Sequence, residues 1–367
     1  MKVALVIPGG VDQSGEYRVI PALLALLKRL SAEHSVHVFP LVQAPAPGEW
    51  DLCGARVHNV GAGLAPLKVV AAILKEHRVA RFDIVHSIFS GSCGLAAVAV
   101  GYLLGIPCLV HVAGGELVAL PDIQYGGRLK WRGRLREAFT LRRADVVTAA
   151  SAFILKQIQA VGYHGQRVPL GVDLQEWPPS SPVSRAAGAQ IRLVQVASLN
   201  RVKDHATLLR ALASLANSAI DFRMDVIGED TLGGAVQAMA AELELNDRVT
   251  FHGFLTQKQS RPLVQRAHIN IVSSLHEAGP LAMLEAAVQG VPTVGTAVGH
   301  VTEWAPAAAV CVPVADPVAL AAGIRQLIAD EAMRMRIADC AWRRALVEDA
   351  DYTANRFLQI YGELTTR

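Results

Sequence analysis

Ile269-Asn270-Ile271-Val272-Ser273-Ser274-Leu275-His276-Glu277-Ala278-Gly279-Pro280-Leu281-Ala282-Met283-Leu284-Glu285-Ala286-Ala287 runs from an apolar, strand-like segment, Ile269 to Ser273, into a short helix. Gly290-Val291-Pro292 then opens a second such segment, Val291 to Ala297. Glu277 and Glu285, eight residues apart, bracket the turn between strand and helix. In parallel α/β sheets such turns line the crevices outside the carboxyl ends of the strands. Glu285 falls among Leu, Ala, Met and Val, where a carboxylate is unfavourable unless it is hydrogen-bonded or faces a cleft.

The same alternation fills the chain. Strands are predicted at Val3–Ile7, Ser35–Phe39, Ile84–Ser87, Cys108–Val112 and Val146–Ala150. Helices are predicted at Tyr17–Ala32, Pro66–Arg78, Cys93–Leu104, Leu129–Arg143 and Ala152–Val161. The period then restarts, with strands at Arg192–Val196, Met224–Ile227, Val249–Phe251, Asn270–Ser273 and Thr293–Thr296. Its helices are Ala206–Ala216, Ala235–Leu245, Gln257–Gln265, Leu281–Gln289, Val318–Asp330 and Ala332–Glu348. Continuously apolar strands between helices indicate parallel sheets covered on both faces. Glu176-Trp177-Pro178-Pro179-Ser180-Ser181-Pro182-Val183-Ser184 reads as a linker between the halves. The amphipathic segment Tyr352 to Leu364 is expected to pack back on the first half.

At 367 residues the chain exceeds one ordinary core, so two domains are the default. A formal charge of +3 gives no global reason to expect nucleic acid as a partner. The five cysteines, Cys53, Cys93, Cys108, Cys311 and Cys340, show no metal-site or redox spacing and read as reduced core thiols of a cytoplasmic protein. Met1-Lys2 leads directly into a strand, which does not resemble a secretion signal. Ser87 to Gly115 carries no Asp, Glu, Lys or Arg and is long enough to span a bilayer. Its glycines and Pro107 favour a loop, a buried helix, a turn and a strand instead. Arg128-Leu129-Lys130-Trp131-Arg132-Gly133-Arg134-Leu135-Arg136 interleaves basic and apolar residues and suits a peripheral contact with anionic lipid at 128–136. Its cations alternate and Gly133 interrupts them, which fits a solvated surface as well.

Val196-Ala197-Ser198-Leu199-Asn200-Arg201-Val202-Lys203-Asp204 follows the first strand of the second half. A strand-to-helix turn collects backbone N–H groups and the positive helix end, and Arg201 and Lys203 add two cations. Such a turn can hold an anionic group. Gly228, in Val226-Ile227-Gly228-Glu229-Asp230, lets a ligand approach the backbone. His111 ends a first-half strand in Val110-His111-Val112-Ala113-Gly114-Gly115-Glu116. Gly15 lies in the loop Pro8-Gly9-Gly10-Val11-Asp12-Gln13-Ser14-Gly15-Glu16, which lacks the third glycine of a dinucleotide fingerprint.

The Glu277-x7-Glu285 spacing resembles the signature of retaining glycosyltransferases, family 4 in particular. Other stretches agree with that resemblance. Lys203 matches the family's lysine, whereas Ser198 stands where the family usually has arginine, and Arg201 is the residue nearby to replace it. His111 matches the family's sugar-facing histidine. Gly15 matches one member of its first-loop glycine pair. Phe82-Asp83-Ile84-Val85-His86 and Leu170-Gly171-Val172-Asp173 resemble two further motifs. The loop Glu277-Ala278-Gly279-Pro280-Leu281 departs from the usual Glu-Ala-Phe-Gly-Leu, and Pro280 has no N–H to donate.

The resemblance implies an α/β GT-B fold: two Rossmann-like domains with parallel sheets facing a central cleft. Residues 1–175 would form the acceptor-side domain and 176–348 the nucleotide-sugar domain, with 349–367 a helix packing back on the first. The implied activity is retaining transfer from a nucleotide diphosphate sugar, a uridine diphosphate sugar ahead of guanosine diphosphate mannose. The acceptor is unspecified, a lipid or a glycan, and neither metal nor cofactor is required. Glu277, Lys203 and His111 would be catalytic. Arg201, Ser198, Gly228, Gly279, Leu281, Glu285 and Gly15 would bind the donor, Glu285 through its ribose. The alternatives are a nucleotide-sugar epimerase or phosphorylase of the same fold, or a non-catalytic sugar-nucleotide-binding partner. The expected location is cytoplasmic, with peripheral contact to the inner face of the membrane.

Overall fold

The structure, a computed structural model, describes residues 1–186, 188–218 and 220–366. The chain divides into two compact units, Met1–Gly171 with Ala350–Arg367, and Val172–Asp349.

The first unit has an eight-stranded sheet of β1 (Lys2–Ile7), β2 (Ser35–Pro40), β3 (Gly48–Leu52), β4 (Ala55–Asn59), β5 (Ile84–Ile88), β6 (Cys108–Val112), β7 (Val146–Ala149) and β8 (Gln166–Arg167), in the order β3-β4-β2-β1-β5-β6-β7-β8. All neighbours are parallel except β3, which runs antiparallel to β4. Alternate side chains serve two cores. Val3, Leu5 and Ile7 meet α1 (Pro21–Leu30) and α13 (Ala350–Thr365), while Ala4 and Val6 meet α2 (Ala65–Val79) and α3 (Leu95–Leu104). The remaining helices of this unit are α4 (Trp131–Arg143) and α5 (Ala152–Ala160).

The second unit has six parallel strands, β9 (Ile191–Val196), β10 (Phe222–Ile227), β11 (Val249–Phe251), β12 (Ile269–Val272), β13 (Thr293–Thr296) and β14 (Val310–Val312), in the order β11-β10-β9-β12-β13-β14. This is the Rossmann order, with its reversal between β9 and β12. Helices α6 (His205–Asn217), α7 (Ala235–Glu242), α8 (Gln257–Gln265), α9 (Leu281–Val288), α10 (Gly299–Trp304), α11 (Pro317–Ala329) and α12 (Glu331–Val347) complete the unit.

Several expectations need correction. Tyr17–Ile20 is loop, and α1 begins at Pro21, a residue suited to a first helical turn. The β3–β4 hairpin was not expected. Cys53 and Gly54 both adopt positive φ (51° and 81°) in its two-residue turn, where Asn-Gly would have been the legible signal. The stretch 176–184 is no linker. Trp177 is buried and donates its indole N–H to Gln257 (2.7 Å), and the Pro178 carbonyl accepts from Gln289 (2.9 Å). A side chain at Gly290 would meet the backbone N of Pro182 at 2.6 Å, so the strap lies against the turn after α9. Of the five cysteines, only Cys93 and Cys108 are buried, and Cys53 and Cys340 are exposed. The uncharged stretch 87–115 resolves into β5, a π-helical turn at Ser90–Gly94, α3 and β6. Among the described residues no helix is long and apolar enough to cross a membrane.

The C-terminal helix is part of the first core. Phe357 and Tyr361 are fully enclosed, Tyr361 pairs with His86 Nδ1 (2.6 Å), and Thr353 Oγ1 accepts from the Gly171 N–H (2.8 Å). Phe357→Ala is expected to destabilise the first unit by about 3–5 kcal/mol, through lost burial and the cavity left behind. An unchanged denaturation midpoint would show that α13 contributes nothing to that core.

Candidate active site

Where strand order reverses, the chain leaves adjacent strands in opposite directions and a crevice opens at their carboxyl ends. In the second unit that point lies between β9 and β12. From β9 the chain reaches a 3-10 turn, Arg201–Lys203, capped by the Asn200 side chain, which accepts from the Lys203 N–H (3.2 Å). From β12 it passes through Ser273 and Ser274 to Glu277.

The two turns meet. Lys203 Nζ lies 2.5 Å from Glu277 Oε1, with 24% and 15% of the two side chains exposed. The partners are held from beneath. Ser274 Oγ donates to the same Glu277 oxygen (2.7 Å), and Ser273 Oγ donates to the Lys203 carbonyl (2.7 Å) while accepting from Gln195 Nε2 (2.9 Å). The Leu275 N–H donates to the Val202 carbonyl (2.8 Å), and Thr296 Oγ1 to the Ser274 carbonyl (2.6 Å). A cation and a carboxylate are thus fixed at one crevice by backbone that has few alternatives. Sequence reading named the pair but missed its supports, Gln195, Ser273, Ser274 and Thr296, which are polar residues inside otherwise apolar strand ends.

Pro280 sits at the N-cap of α9 and Leu281 is the first helical residue. The leading N–H groups of a helix lack carbonyl partners within it and form a site for negative charge. Gly279 adjoins a buried imidazole: a side chain there would meet His300 Nε2 at 2.7 Å, so His300 takes the space a larger residue would need. Gly299, at φ 44°, would place a side chain 3.0 Å from the Glu277 carbonyl, and its lack of one lets the β13 turn close over this loop. Glu285 lies one turn into α9, partly exposed, with burial among its apolar neighbours pushing its carboxyl up to about 7. Gly228 touches the first turn directly, since a Cβ there would meet the Ala197 carbonyl at 2.1 Å and the Ser198 N at 2.7 Å. Ser198 is half-buried beside it, and Arg201 is exposed on the 3-10 turn. The second unit therefore gathers Lys203 and Glu277 in contact, with Ser198, Arg201, Gly228, Gly279, Leu281 and Glu285 on the turns and helix around the switch point.

The first unit carries His111 and Gly15. Gly15 lies in the exposed loop between β1 and α1 at φ 68°, a left-handed turn suited to glycine. His111 lies near the end of β6, where the sequence placed it, but its side chain is enclosed. It is fully buried in β6, with Nδ1 on Thr148 Oγ1 (2.9 Å) and its ring edge-on to Phe357, and burial lowers its pKa to about 3. Its alternation along the strand turns it toward Phe357 of α13, and its Nε2 is buried without a hydrogen-bond partner among the described residues. The polar group just past the end of β6 is Glu116. Its two oxygens accept from the N–H groups of Ser90 (3.0 Å) and Gly114 (2.7 Å), tying the loops after β5 and β6 together, and burial pushes its carboxyl up to about 7. Phe89, at φ 76°, holds a backbone conformation unusual for a side chain of its size beside this loop pair.

Among the described residues one trio has metal-ligand proximity, His37, His58 and Glu76 on β2, β4 and α2. Lys2 Nζ already occupies Glu76 (2.7 Å), and the trio belongs to the first unit, apart from the Lys203–Glu277 pair.

Residues 18–172 match the family "Glycosyl transferase 4-like domain" and residues 180–343 match "Glycosyl transferases group 1". The chain is 27% identical over 331 residues to a D-inositol 3-phosphate glycosyltransferase of Arthrobacter sp. (strain FB24), covering 80% of this chain and 76% of that one. It is 29% identical over 235 residues to a GDP-mannose-dependent alpha-(1-6)-phosphatidylinositol dimannoside mannosyltransferase of Mycobacterium tuberculosis, covering 62% and 60%. Among solved structures, sucrose-phosphate synthase from Thermosynechococcus elongatus superposes with a TM-score of 0.83 at 19% identity over the whole of both chains. Anabaena HepE in complex with UDP-glucose superposes with a TM-score of 0.75 at 16% identity, over 99% of this chain and all of that one. At these identities the structures establish the fold, two Rossmann-like domains of the GT-B type.

Glu285 yields a pH prediction. Its carboxyl is raised from 4.5 to about 7 in the folded state. Between those values the native protein holds a proton that the unfolded chain has released, so stability falls as pH rises through that window. Glu285→Gln should be near neutral at pH 4 and more stable than wild type by about 1–3 kcal/mol at pH 8. Parallel stability curves for the two proteins from pH 4 to 8 would refute the assignment.

Proposed function

We propose that this chain, a family-4-like glycosyltransferase of the GT-B fold, moves a hexosyl group from a nucleotide diphosphate sugar to a hydroxyl acceptor with retention at the anomeric carbon. The observation that carries this reading is the Lys203–Glu277 contact at the β9/β12 switch point (2.5 Å). It joins a cation suited to a leaving diphosphate with a carboxylate suited to sugar hydroxyls. Lys203 and Arg201, with the N–H groups of Gly279 and Leu281, neutralise the departing diphosphate. Glu277 accepts hydrogen bonds from sugar hydroxyls, and Glu285 accepts from the ribose. The C1–O bond to the diphosphate breaks as the acceptor oxygen bonds C1 on the same face, and the acceptor proton passes to a phosphate oxygen. Each step uses preorganised charge rather than a protein nucleophile. His111 is left out of the contact set because Thr148 and Phe357 enclose its imidazole.

Uridine diphosphate sugars are the first donors to test and guanosine diphosphate mannose the second. The mycobacterial relative is named for GDP-mannose, and HepE was solved with UDP-glucose. No metal or further cofactor enters the scheme.

Glu277→Ala is expected to lower kcat/KM by roughly 10²-fold or more, with the fold intact by circular dichroism. Lys203→Ala should lower both donor affinity, measured by calorimetry, and rate, by about 10²–10³-fold in kcat. Wild-type donor affinity in the Lys203 variant would remove the diphosphate clamp. The anomeric configuration of the product, read by proton NMR, checks retention. Donor incubated alone, yielding an epimer or nothing, separates transfer from epimerisation.

A further inference from the structure

Helix α4 turns an apolar face to solvent. Trp131, Leu135 and Phe139 recur every fourth residue and are 65%, 60% and 47% exposed. At about 100° per residue they fill an arc of roughly 80° and rise about 12 Å along the helix axis. Glu137, Thr140 and Leu141 occupy the opposite face and are buried. Gly133 does not break the helix. It is on the inner side, where a Cβ would meet the Gly127 carbonyl at 1.9 Å, so it is what lets α4 lie close to its own preceding loop.

The apolar stripe continues onto the end of α3. Tyr102 and Leu103 are 82% and 58% exposed, and they line one surface concavity together with Phe139 and Arg143. Monomeric proteins bury or scatter such residues, and contiguous ones mark an interaction site.

The exposed charges of α4 are of one sign, whereas the two acids that line the concavity, Asp83 and Asp145, accept from the Lys2 and Cys108 N–H groups (2.7 Å each). Arg132, Arg136 and Arg143 flank the stripe on one side and Arg134 on the other, with Arg142 inside its arc. The lone acid of α4, Glu137, is buried, accepts from Ser90 Oγ (2.6 Å) and pairs with Arg136 (3.6 Å), which leaves Arg132, Arg134, Arg142 and Arg143 as the outward cations. Arg132 and Arg143 lie over the rings of Trp131 (5.5 Å) and Phe139 (5.7 Å), so cation and aromatic ring are presented together. A second copy of this face would oppose arginine with arginine, which like-charge repulsion disfavours. An anionic lipid surface satisfies both parts: headgroups meet the guanidinium groups, and the rings enter the acyl boundary.

We propose that α4, with the end of α3, docks the first unit onto an anionic lipid bilayer. Trp131, Leu135, Phe139, Tyr102 and Leu103 insert at the interface, and Arg132, Arg134, Arg142 and Arg143 bind the headgroups. The helix lies in the surface plane and does not cross it. This docking does not depend on the glycosyl-transfer reading, because it needs neither donor nor acceptor.

The test is co-sedimentation of the full chain with vesicles of phosphatidylglycerol and phosphatidylcholine mixed, or of phosphatidylcholine alone. Wild type should bind the anionic vesicles, lose most binding at high salt, and show a blue shift in tryptophan emission that Trp131→Phe removes. Trp131→Ala, Leu135→Ala and Phe139→Ala together should lower the partition coefficient by about tenfold or more, with thermal unfolding unchanged because all three sites are exposed. Arg132→Gln, Arg134→Gln and Arg143→Gln together should do the same and flatten the salt dependence. Wild type ignoring anionic vesicles, or the apolar triple variant binding as wild type does, overturns the proposal. So does a concentration-dependent dimer in light scattering that the apolar triple variant abolishes while no vesicle binding occurs.

Discussion

Strand order reverses between β9 and β12, and that one topological fact sets where the second unit can do chemistry. Parallel strands on either side of the reversal send their connections to opposite faces of the sheet, so no helix covers the gap at their carboxyl ends. Lys203 and Glu277 come from the two connections that border this gap and meet across it. Neither turn has room to shift. The Leu275–Val202 and Ser273–Lys203 hydrogen bonds fasten one to the other, and Gly228 and Gly299 are places where a single added carbon would collide with their backbone. The charges are thus preorganised by the sheet itself, which is the condition under which fixed groups stabilise developing charge without reorganising.

The first unit repeats the order around β1 and β5 but fills its crevice differently. There the end of the sheet is organised by a buried carboxylate, Glu116, bridging the Ser90 and Gly114 N–H groups, and by Phe89 in a left-handed conformation. A second carboxylate, Glu137, lies below on α4 and is likewise raised above its ordinary value by burial. Two enclosed acids within one loop pair are unfavourable for stability unless hydrogen bonds hold them, and both are held, through Ser90 and the loop amides. The strained Phe89 and the π-helical turn that follows it are the backbone's response to turning this corner tightly.

Much of this was legible in the sequence, for a definite reason. Strands buried on both faces must be largely apolar, so β1 and β6 stand out against Ala-rich helices, β6 with both ends in place and β1 beginning one residue earlier, at Lys2. The Glu277–Lys203 site was legible because charged residues at the ends of such strands are conspicuous. Features that depend on a partner element were not. The β3–β4 hairpin turns on Cys53-Gly54, a pair that carries no turn signal until both φ angles are known. The Pro- and Ser-rich segment 176–184 has linker composition, yet one buried indole, Trp177, fixes it against the second unit. His111 ends a strand, as expected, but which way it points depends on α13, which arrives from the far end of the chain. The α4 stripe was hidden by charges that alternate in sequence and only separate from the apolar residues once the helix is wound.

The ion pair at the switch point also constrains how a donor is received. Lys203 and Glu277 neutralise one another before any ligand arrives, and Ser274 shares the same carboxylate oxygen. Both partners are still partly open to water, so their attraction is modest in strength and exchangeable. A nucleotide diphosphate sugar brings a complement to each: phosphate oxygens for the ammonium, hydroxyls for the carboxylate. Binding then replaces one internal pairing with two external ones, and neither charge is ever left buried alone. A permanently solvated lysine would pay no such exchange but would have to be ordered at the moment of binding. Here the glutamate holds the lysine in place for its ligand, and the lysine does the same for the glutamate.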